Sequence, residues 1–209
     1  MKRIIKNPAE RRAEIVRTAR DLFLTKDYDR TTMQDFMNHL GIAKGTIYHY
    51  FKSKEELLEA VVEDIVNQHI EEMNILIQKT TGNALQKLQA LIEAGNKVEA
   101  PLVLEKLHER GNEAMHTRIL VATLMKQAPL YAKLIQQGCE EGLFETNYPL
   151  ECAEFILSGI QFLTDLGISP WTEEDLMRRI KAFPKLIEQL LQAPSNSFQF
   201  MLKNGRYIN

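Results

Sequence analysis

Apolar residues recur along most of this chain at intervals of three and four, which places them on one face of an α-helix. Alternating apolar and polar runs, typical of strands, are scarce. The first periodic segment predicts a helix from about Pro8 to Lys26, and a second, short helix covers MQDFMNHL. Thr31 or Thr32 can close a capping box at the start of the second helix, and Gly41 ends it. The pattern therefore predicts an all-α protein.

A third short helix follows Gly41 after one further residue. Its inward positions are Ile47 and Phe51, four residues apart. Ser53 and Glu56 then have capping-box spacing, and a long amphipathic helix continues from Leu57 to about Ile77. This fourth helix is long enough to connect two regions rigidly.

Beyond Gly82, helical patterns occupy about 83–97, 101–110, 112–127 and 129–141, with breaks expected at Pro101, Gly111 and Pro129. The two strongest patterns follow, around residues 150–167 and 173–191. Pro184 lies inside the last of them, where a kink or an interruption is expected. The tail from residue 194 to 209 has no readable period.

The net charge of −2 conceals an uneven distribution. Residues 1–54 carry 12 Lys and Arg against 6 Asp and Glu, a balance of +6, whereas residues 55–209 have a balance of −8. A basic first domain on an acidic body is typical of nucleic-acid binding, although a solvated basic helix face gives the same count. We therefore divide the chain into residues 1–54 and residues 55–209.

Two short helices joined by a tight turn at Gly41 match the helix-turn-helix signature, whose second helix enters the DNA major groove. Lys44 can reach a phosphate or the acceptor atoms of guanine, and Thr46 can contact a thymine methyl or a phosphate. Gly45 costs about 1 kcal/mol relative to alanine in a helix. The missing side chain at Gly45 would let the helix backbone approach the groove.

Four further side chains can donate to phosphate oxygens or lie where a helix start attracts an anion: Thr32, Tyr48, His49 and Lys54. Each has an ordinary alternative as a core aromatic or a solvated surface group. Taken together at this spacing, and with the local charge of +6, they favour a DNA-binding surface.

The run TTMQDFMNHLGIAKGTIYHYFKSKEEL resembles the DNA-binding segment of the tetracycline-repressor (TetR/AcrR) family, and the resemblance covers roughly residues 10–65. It implies a three-helix amino-terminal domain that contacts a double-stranded DNA operator, followed by a larger helical domain that binds a small molecule and forms a homodimer. The implied DNA contacts are the seven residues from Thr32 to Lys54 named above. Asp27 stands where family members often have glycine, but aspartate also tolerates a left-handed conformation.

The resemblance and the two strongest helical patterns together predict the dimer interface and the ligand pocket. The interface would be a four-helix bundle buried by Ile156, Ile160, Leu176, Ile180 and Ile187, although these stripes can equally face the chain's own core. For an apolar small-molecule effector, the adaptable methionines and aromatic or aliphatic side chains are Met73, Ile77, Met115, Leu124, Met125, Phe144, Phe155 and Phe162.

Other kinds of chemistry find little support in the sequence. His108 and His116 have no ligand spacing that defines a metal site, so neither a metal nor a cofactor is expected. Cys139 and Cys152 suit free thiols in a reducing cytoplasm. There is no signal-peptide pattern and no apolar run of the ~18 residues that a membrane span requires.

The sequence leads to a ligand-responsive transcriptional repressor that reads a palindromic operator as a dimer. A constitutive DNA-binding protein, whose large domain binds a protein partner or no ligand, is the main alternative. An enzyme is disfavoured because no phosphate loop, nucleophile elbow or paired carboxylates occur at a defensible spacing.

Overall fold

The computed structural model describes residues 7–97 and 108–203, and this part of the chain contains nine α-helices and no strand. The all-α prediction is confirmed. No helix among these residues is both long enough and apolar enough to cross a membrane. The helices are α1 (Pro8–Lys26), α2 (Met33–Leu40), α3 (Lys44–Tyr50), α4 (Lys54–Lys79), α5 (Ala84–Lys97), α6 (Glu113–Glu140), α7 (Pro149–Thr164), α8 (Glu173–Leu190) and α9 (Phe200–Lys203).

The chain folds into two compact units. The long helices α4 and α6 each contribute residues to both units. The first unit lies within Met1–Asn67 and Ala100–Ile119, and the second comprises Gln68–Glu99 and Leu120–Asn209. The first seven residues of α6 and the first half of α4 therefore belong to the first unit. This division differs from a single boundary at residue 54. The helix predicted over 101–110 lies largely outside the described residues.

The core of the first unit forms where α1, α2 and α3 bury one apolar face each. The ring of Phe23 meets Tyr28 edge-on at 5.1 Å between centroids and Phe36 at 5.5 Å. Ile47 and Phe51 are almost fully buried, as their four-residue spacing predicts. The edge-to-face rings hold α1 and α2 together, whereas α3 buries Ile47 on one side and leaves its other side exposed.

Both ends of α2 are fixed by local hydrogen bonds. Thr32 accepts a hydrogen bond from the backbone N–H of Asp35, and the Asp35 carboxylate accepts one from the Thr32 N–H at 2.8 Å. At the other end Gly41 adopts the left-handed conformation, with φ of 61°, and the N–H of Ile42 donates to the Met37 carbonyl. The orientation of α3 relative to α2 is set by this tight turn.

Pro129 does not break the helix that contains it. The sequence predicts two segments, 112–127 and 129–141, whereas α6 is one helix of 28 residues. Proline within a helix costs about 3 kcal/mol because it removes one hydrogen bond and crowds the preceding turn. Burial of Ala128, Leu134 and Ile135 in the core of the second unit offsets that cost.

Pro184 also lies inside a helix, α8, without breaking it. The helix runs without interruption from Glu173 to Leu190, and Pro184 is itself buried together with Phe183 and Ile187. Helix periodicity in this segment is therefore a better guide than the proline, because the buried face of α8 stabilises the whole length of the helix.

The carboxyl-terminal tail packs into the second unit even though its sequence has no helical period. The Phe198 ring stacks on Phe144 at 5.9 Å between centroids. The Phe198 N–H donates to the buried Glu188 carboxylate at 3.4 Å, and the Ala193 N–H donates to the Glu188 carbonyl at 2.8 Å. These contacts hold the last turn of α8 and the tail together.

We predict that Gly138→Ala destabilises the protein. A Cβ added at Gly138 would overlap the ring of Phe144, which is buried and stacked on Phe198. Overpacking of this kind costs about 1–3 kcal/mol, measured by chemical denaturation. Gly45→Ala is the matched control, because a Cβ there meets no atom within 4 Å. Equal stability of the two variants would contradict the close packing of Phe144.

Candidate nucleic-acid interface and buried cavity

Helix α3 presents the predicted DNA-contacting residues on the surface of the first unit. Lys44, Gly45 and His49 are exposed, and Thr46 and Tyr48 are partly exposed. The Lys44 ammonium lies 5.6 Å from the centroid of the Tyr48 ring. These five residues therefore form one continuous, largely polar face that carries the positive charge of Lys44, as the helix-turn-helix interpretation requires.

The structure confirms the cap predicted at Thr32 and gives Lys54 an additional role that the sequence did not indicate. The Thr32 hydroxyl donates to the Asp35 carboxylate at 2.7 Å, which engages it in the helix cap. The Lys54 ammonium lies 4.1 Å from the centroid of the Tyr28 ring and donates to the Tyr28 carbonyl at 3.0 Å. In the free protein both side chains therefore stabilise the first unit.

A second lysine extends the positive charge beside α3. Lys52 is exposed, and its ammonium donates to the carbonyl of Tyr48 at 2.8 Å, which satisfies one free acceptor at the end of α3. Sequence reasoning passed over Lys52. Its position directly after α3, in the basic segment 1–54, was the available signal.

The backbone of Tyr28 joins the beginnings of the two helices that also extend into the second unit. Its N–H donates to the buried side-chain oxygen of Asn112 at 2.7 Å, and its carbonyl accepts from Lys54 at 3.0 Å. Beside it, the Asp29 N–H donates to the Gly111 carbonyl at 3.1 Å. We call these three hydrogen bonds the Tyr28 clasp. Asn112 is 0% exposed, and nothing in its sequence context indicated this role.

One ion pair strengthens the same region. Arg118 of α6 pairs with Glu59 of α4, so the second turns of the two helices are linked by surface side chains in addition to the bonds through Tyr28. Burial raises the pKa of the Tyr28 phenol, with a smaller contribution from the Glu55 carboxylate. The phenol therefore stays neutral beside the Lys54 ammonium.

The carboxylate of Asp35 is held in its charged form. Hydrogen bonds from Lys26 and Thr32, chiefly from Lys26 at 2.7 Å, lower the pKa of Asp35 to about 2. The capped start of α2, and through it the position of α3, thus depends on an ionised carboxylate.

A cavity of about 410 Å³ lies within the second unit. Helices α4 to α8 and the tail contribute to its walls, which are mostly aliphatic. Of the predicted pocket residues, Met73 lines it. The cavity falls within the range of about 300–1,000 Å³ that small-molecule sites occupy.

The other predicted pocket residues lie elsewhere. Phe155 is 73% exposed, Phe162 56% and Met125 63%, so these three face outward. Phe144 packs against Phe198 in the core, and Met115 is fully buried in the first unit. Ile77 and Leu124 are partly buried and are not part of the cavity wall.

The residues predicted for the dimer interface face the chain's own interior. Ile156, Ile160, Ile180 and Ile187 line the cavity, and Leu176 is buried in the adjoining core. This corrects their assignment to a subunit contact. On α7 the sequence analysis thus exchanged the two faces: the isoleucines face inward, whereas Phe155 and Phe162 face outward. Periodicity shows that a helix has apolar faces, but when both are apolar it does not show which is buried.

Besides the exposed Glu72, three polar side chains on α4 and α6 interrupt the apolar wall of the cavity. The ring nitrogen Nε2 of His69 lies 2.9 Å from the side-chain nitrogen of Gln127, so these two groups form a hydrogen bond. Tyr131 also lines the cavity, and burial raises the pKa of its phenol to about 12. Sequence reasoning missed all three, because polar residues on a helix resemble ordinary surface positions.

Two sequence models of one family match the chain, and together they cover about two thirds of it. The model of bacterial regulatory proteins of the tetR family matches residues 15–61, and that of the tetracyclin repressor-like C-terminal domain matches residues 97–186. The chain belongs to the TetR family of transcriptional regulators. Helix α3 lies within the first match, and its exposed face agrees with the DNA-binding function of these transcriptional regulators.

Relatives with curated names are regulators of the same kind. The chain is 23% identical over 151 residues to the transcriptional repressor KstR2 of Mycolicibacterium smegmatis. The aligned region covers 69% of this chain and 72% of that protein. It is 26% identical over 155 residues to the uncharacterized transcriptional regulator YfiR of Bacillus subtilis, covering 71% and 76%.

A solved structure shares the fold. The TetR-family regulator from Pectobacterium atrosepticum matches with a TM-score of 0.68 and 21% identity, over 90% of this chain and 100% of that chain. The two-part helical architecture predicted from the sequence is therefore confirmed.

We predict that Asp35→Asn lowers stability at neutral pH and that the loss disappears in acid. The folded pKa of about 2 lies below the ordinary value of 3.8, so the contribution of Asp35 is present above about pH 4 and is lost as the pH falls towards 2. The loss should be of the order of 1 kcal/mol, as for other helix caps. Urea unfolding of both proteins between pH 7 and pH 2 measures it.

Asp21→Asn is the control for that experiment, because Asp21 is an exposed aspartate of α1. A stability difference for Asp35→Asn that stays constant down to pH 2 would contradict the role of its charge.

We predict that Gly45→Ala stabilises the free protein but weakens DNA binding. Alanine gains about 0.5–1 kcal/mol over glycine within a helix, and the added Cβ meets no atom within 4 Å. On DNA the same methyl group would separate the backbone of α3 from the groove. Thermal melting and fluorescence anisotropy measure the two effects. A Gly45→Ala protein with undiminished DNA affinity would show that the backbone of α3 does not approach the DNA groove closely.

Proposed function

We propose that the protein is a ligand-responsive transcriptional repressor that binds a palindromic operator as a homodimer. The observation that carries the proposal is the exposed face of α3, where Lys44, Gly45 and Thr46 stand together on a helix held by a capped turn. A helix presented in this way fits the major groove, and its lysine and threonine suit phosphate and base-edge contacts.

The outward faces of α7 and α8 support dimerisation. Phe155 and Phe162 are seven residues apart on α7, and Leu186 and Leu190 are four apart on α8, so each pair shares a helix face. Their exposed fractions range from 37% to 73%. Exposed apolar groups of this size mark interaction surfaces, and a two-fold partner would bury the same face of both chains.

A palindromic operator follows from such a dimer. Two recognition helices related by a two-fold axis read two half-sites about 34 Å apart, one turn of DNA. The effector would occupy the cavity of the second unit, which has the size and the apolar walls of a small-molecule site.

The Tyr28 clasp supports a route from the cavity to DNA. Helices α4 and α6 both contribute cavity residues, among them Met73 and Tyr131, and both begin at the clasp. An effector that changes the relative position of these helices would move the turn at Tyr28, and with it the recognition helix. A coupling free energy of about 1–3 kcal/mol would reduce operator affinity roughly 5- to 150-fold.

We predict that Lys44→Ala and Tyr48→Ala each weaken operator binding by about 5- to 150-fold without unfolding the protein. These changes remove about 1–3 kcal/mol of contact free energy, and the loss of Lys44 should also reduce the salt-dependence slope by about 1. The operator is first selected from a random DNA library with the wild-type protein, and it should be an inverted repeat bound by two chains. Fluorescence anisotropy at several salt concentrations measures affinity.

Lys133→Ala is the matched control, since Lys133 is an exposed lysine of α6 in the second unit. Binding of both α3 variants with wild-type affinity and salt dependence would refute the proposed DNA surface. A monomer in light scattering, or a selected site without symmetry, would refute the dimer.

A further inference from the structure

The Tyr131 hydroxyl is a polar group of the cavity wall whose hydrogen-bonding capacity is unused. Tyr131 is partly buried against the core of the second unit and lines the cavity. Its hydroxyl has no hydrogen-bond partner within the described part of the chain. A molecule that fills the cavity displaces water from this hydroxyl, and it binds more tightly if it supplies a hydrogen-bond partner of its own.

The protonation state of Tyr131 defines what that partner must offer. Burial raises the pKa of the phenol to about 12, so the group is neutral and keeps its proton at physiological pH. A neutral phenol donates one O–H hydrogen bond. The phenol oxygen can also accept a hydrogen bond, but the ligand atom that uses the retained proton is an acceptor.

The neighbouring polar groups favour an uncharged ligand. His69 and Gln127 already form a hydrogen bond with each other, and Gln127 also lies 3.6 Å from the Met73 sulfur. Glu72 is exposed and also lines the cavity, and its negative charge works against the binding of an anion. The remaining wall is mostly aliphatic.

We infer that the effector is an uncharged, largely apolar molecule carrying a hydrogen-bond acceptor, such as a ketone, ester or ether oxygen, that the Tyr131 hydroxyl binds. The inference rests on the proposed role of the cavity as the effector site. The inference gives two different roles to the side chains of the cavity wall. The aliphatic side chains supply most of the binding affinity, and Tyr131 distinguishes a molecule that carries the acceptor from the corresponding hydrocarbon.

A matched pair of probes tests this directly. Binding of 1-tetralone and of tetralin, which has the same ring skeleton without the ketone oxygen, is measured by titration calorimetry on the free protein. Tyr131→Phe should weaken 1-tetralone binding about fivefold, the equivalent of about 1 kcal/mol for one hydrogen bond, and leave tetralin binding unchanged. Repeating the titrations with cyclododecanone and cyclododecane extends the test to a larger ring.

Two further variants make the result specific. Tyr148→Phe removes an exposed phenol of the second unit and should change neither affinity. Ile160→Trp narrows the cavity and should abolish binding of both members of a pair. Melting curves show whether each variant is folded.

Three outcomes would overturn the inference: binding of neither ketone by the wild-type protein, equal losses of ketone and hydrocarbon in Tyr131→Phe, or unchanged binding in a folded Ile160→Trp. No DNA is present, so these outcomes are independent of whether the protein is released from its operator. Loss of operator control with an intact Tyr131 effect would instead count against the proposed function alone.

Discussion

The first unit depends on the hydrogen bonds made by the backbone of one residue. The N–H of Tyr28 is bonded to Asn112, which precedes α6, and its carbonyl is bonded to Lys54, the first residue of α4. The residue therefore fixes the turn after α1 to the beginnings of both long helices. A buried N–H or carbonyl left without a partner costs about 1–3 kcal/mol, so these three segments are stable mainly as a group. The capped start of α2 follows four residues later, and the turn at Gly41 then sets the position of α3.

The two units carry different chemistry on the same helices. In the first, α4 and α6 are joined by polar groups, including the ion pair of Arg118 with Glu59. In the second, both helices contribute to an apolar cavity that contains few polar groups. Hydrogen bonds and ion pairs have strict geometry, whereas aliphatic walls tolerate ligands of different shape. The arrangement suits a regulator in which the DNA-binding part must remain precise and the sensing part can adapt.

Sequence reasoning succeeded where a short local pattern determines the structure. The spacing of Ile47 and Phe51, the cap at Thr32 and the glycine turn are all decided within a few residues, and the structure confirms them. It failed where the outcome depends on distant residues. Asn112 is 84 positions from its partner Tyr28, so no local pattern could reveal the bond. The two faces of α7 are both apolar, and only the packing of the whole second unit shows that Ile156 faces inward and Phe155 outward. The helix-breaking effect of Pro129 was overestimated for a similar reason, because the core packing that keeps α6 continuous involves residues distant in sequence.

Pro129 has a mechanical consequence for the helix that contains it. A proline has no N–H, so the carbonyl of Met125, four residues earlier, lacks its usual helical donor. Helix α6 therefore has one turn, in the second unit, that is held by fewer hydrogen bonds than the rest of its 28 residues. Bending at that turn costs less than bending elsewhere, and Tyr131 lies two residues beyond it. The stiffness of α6 is thus lowest beside the cavity and is preserved where the helix joins the Tyr28 clasp.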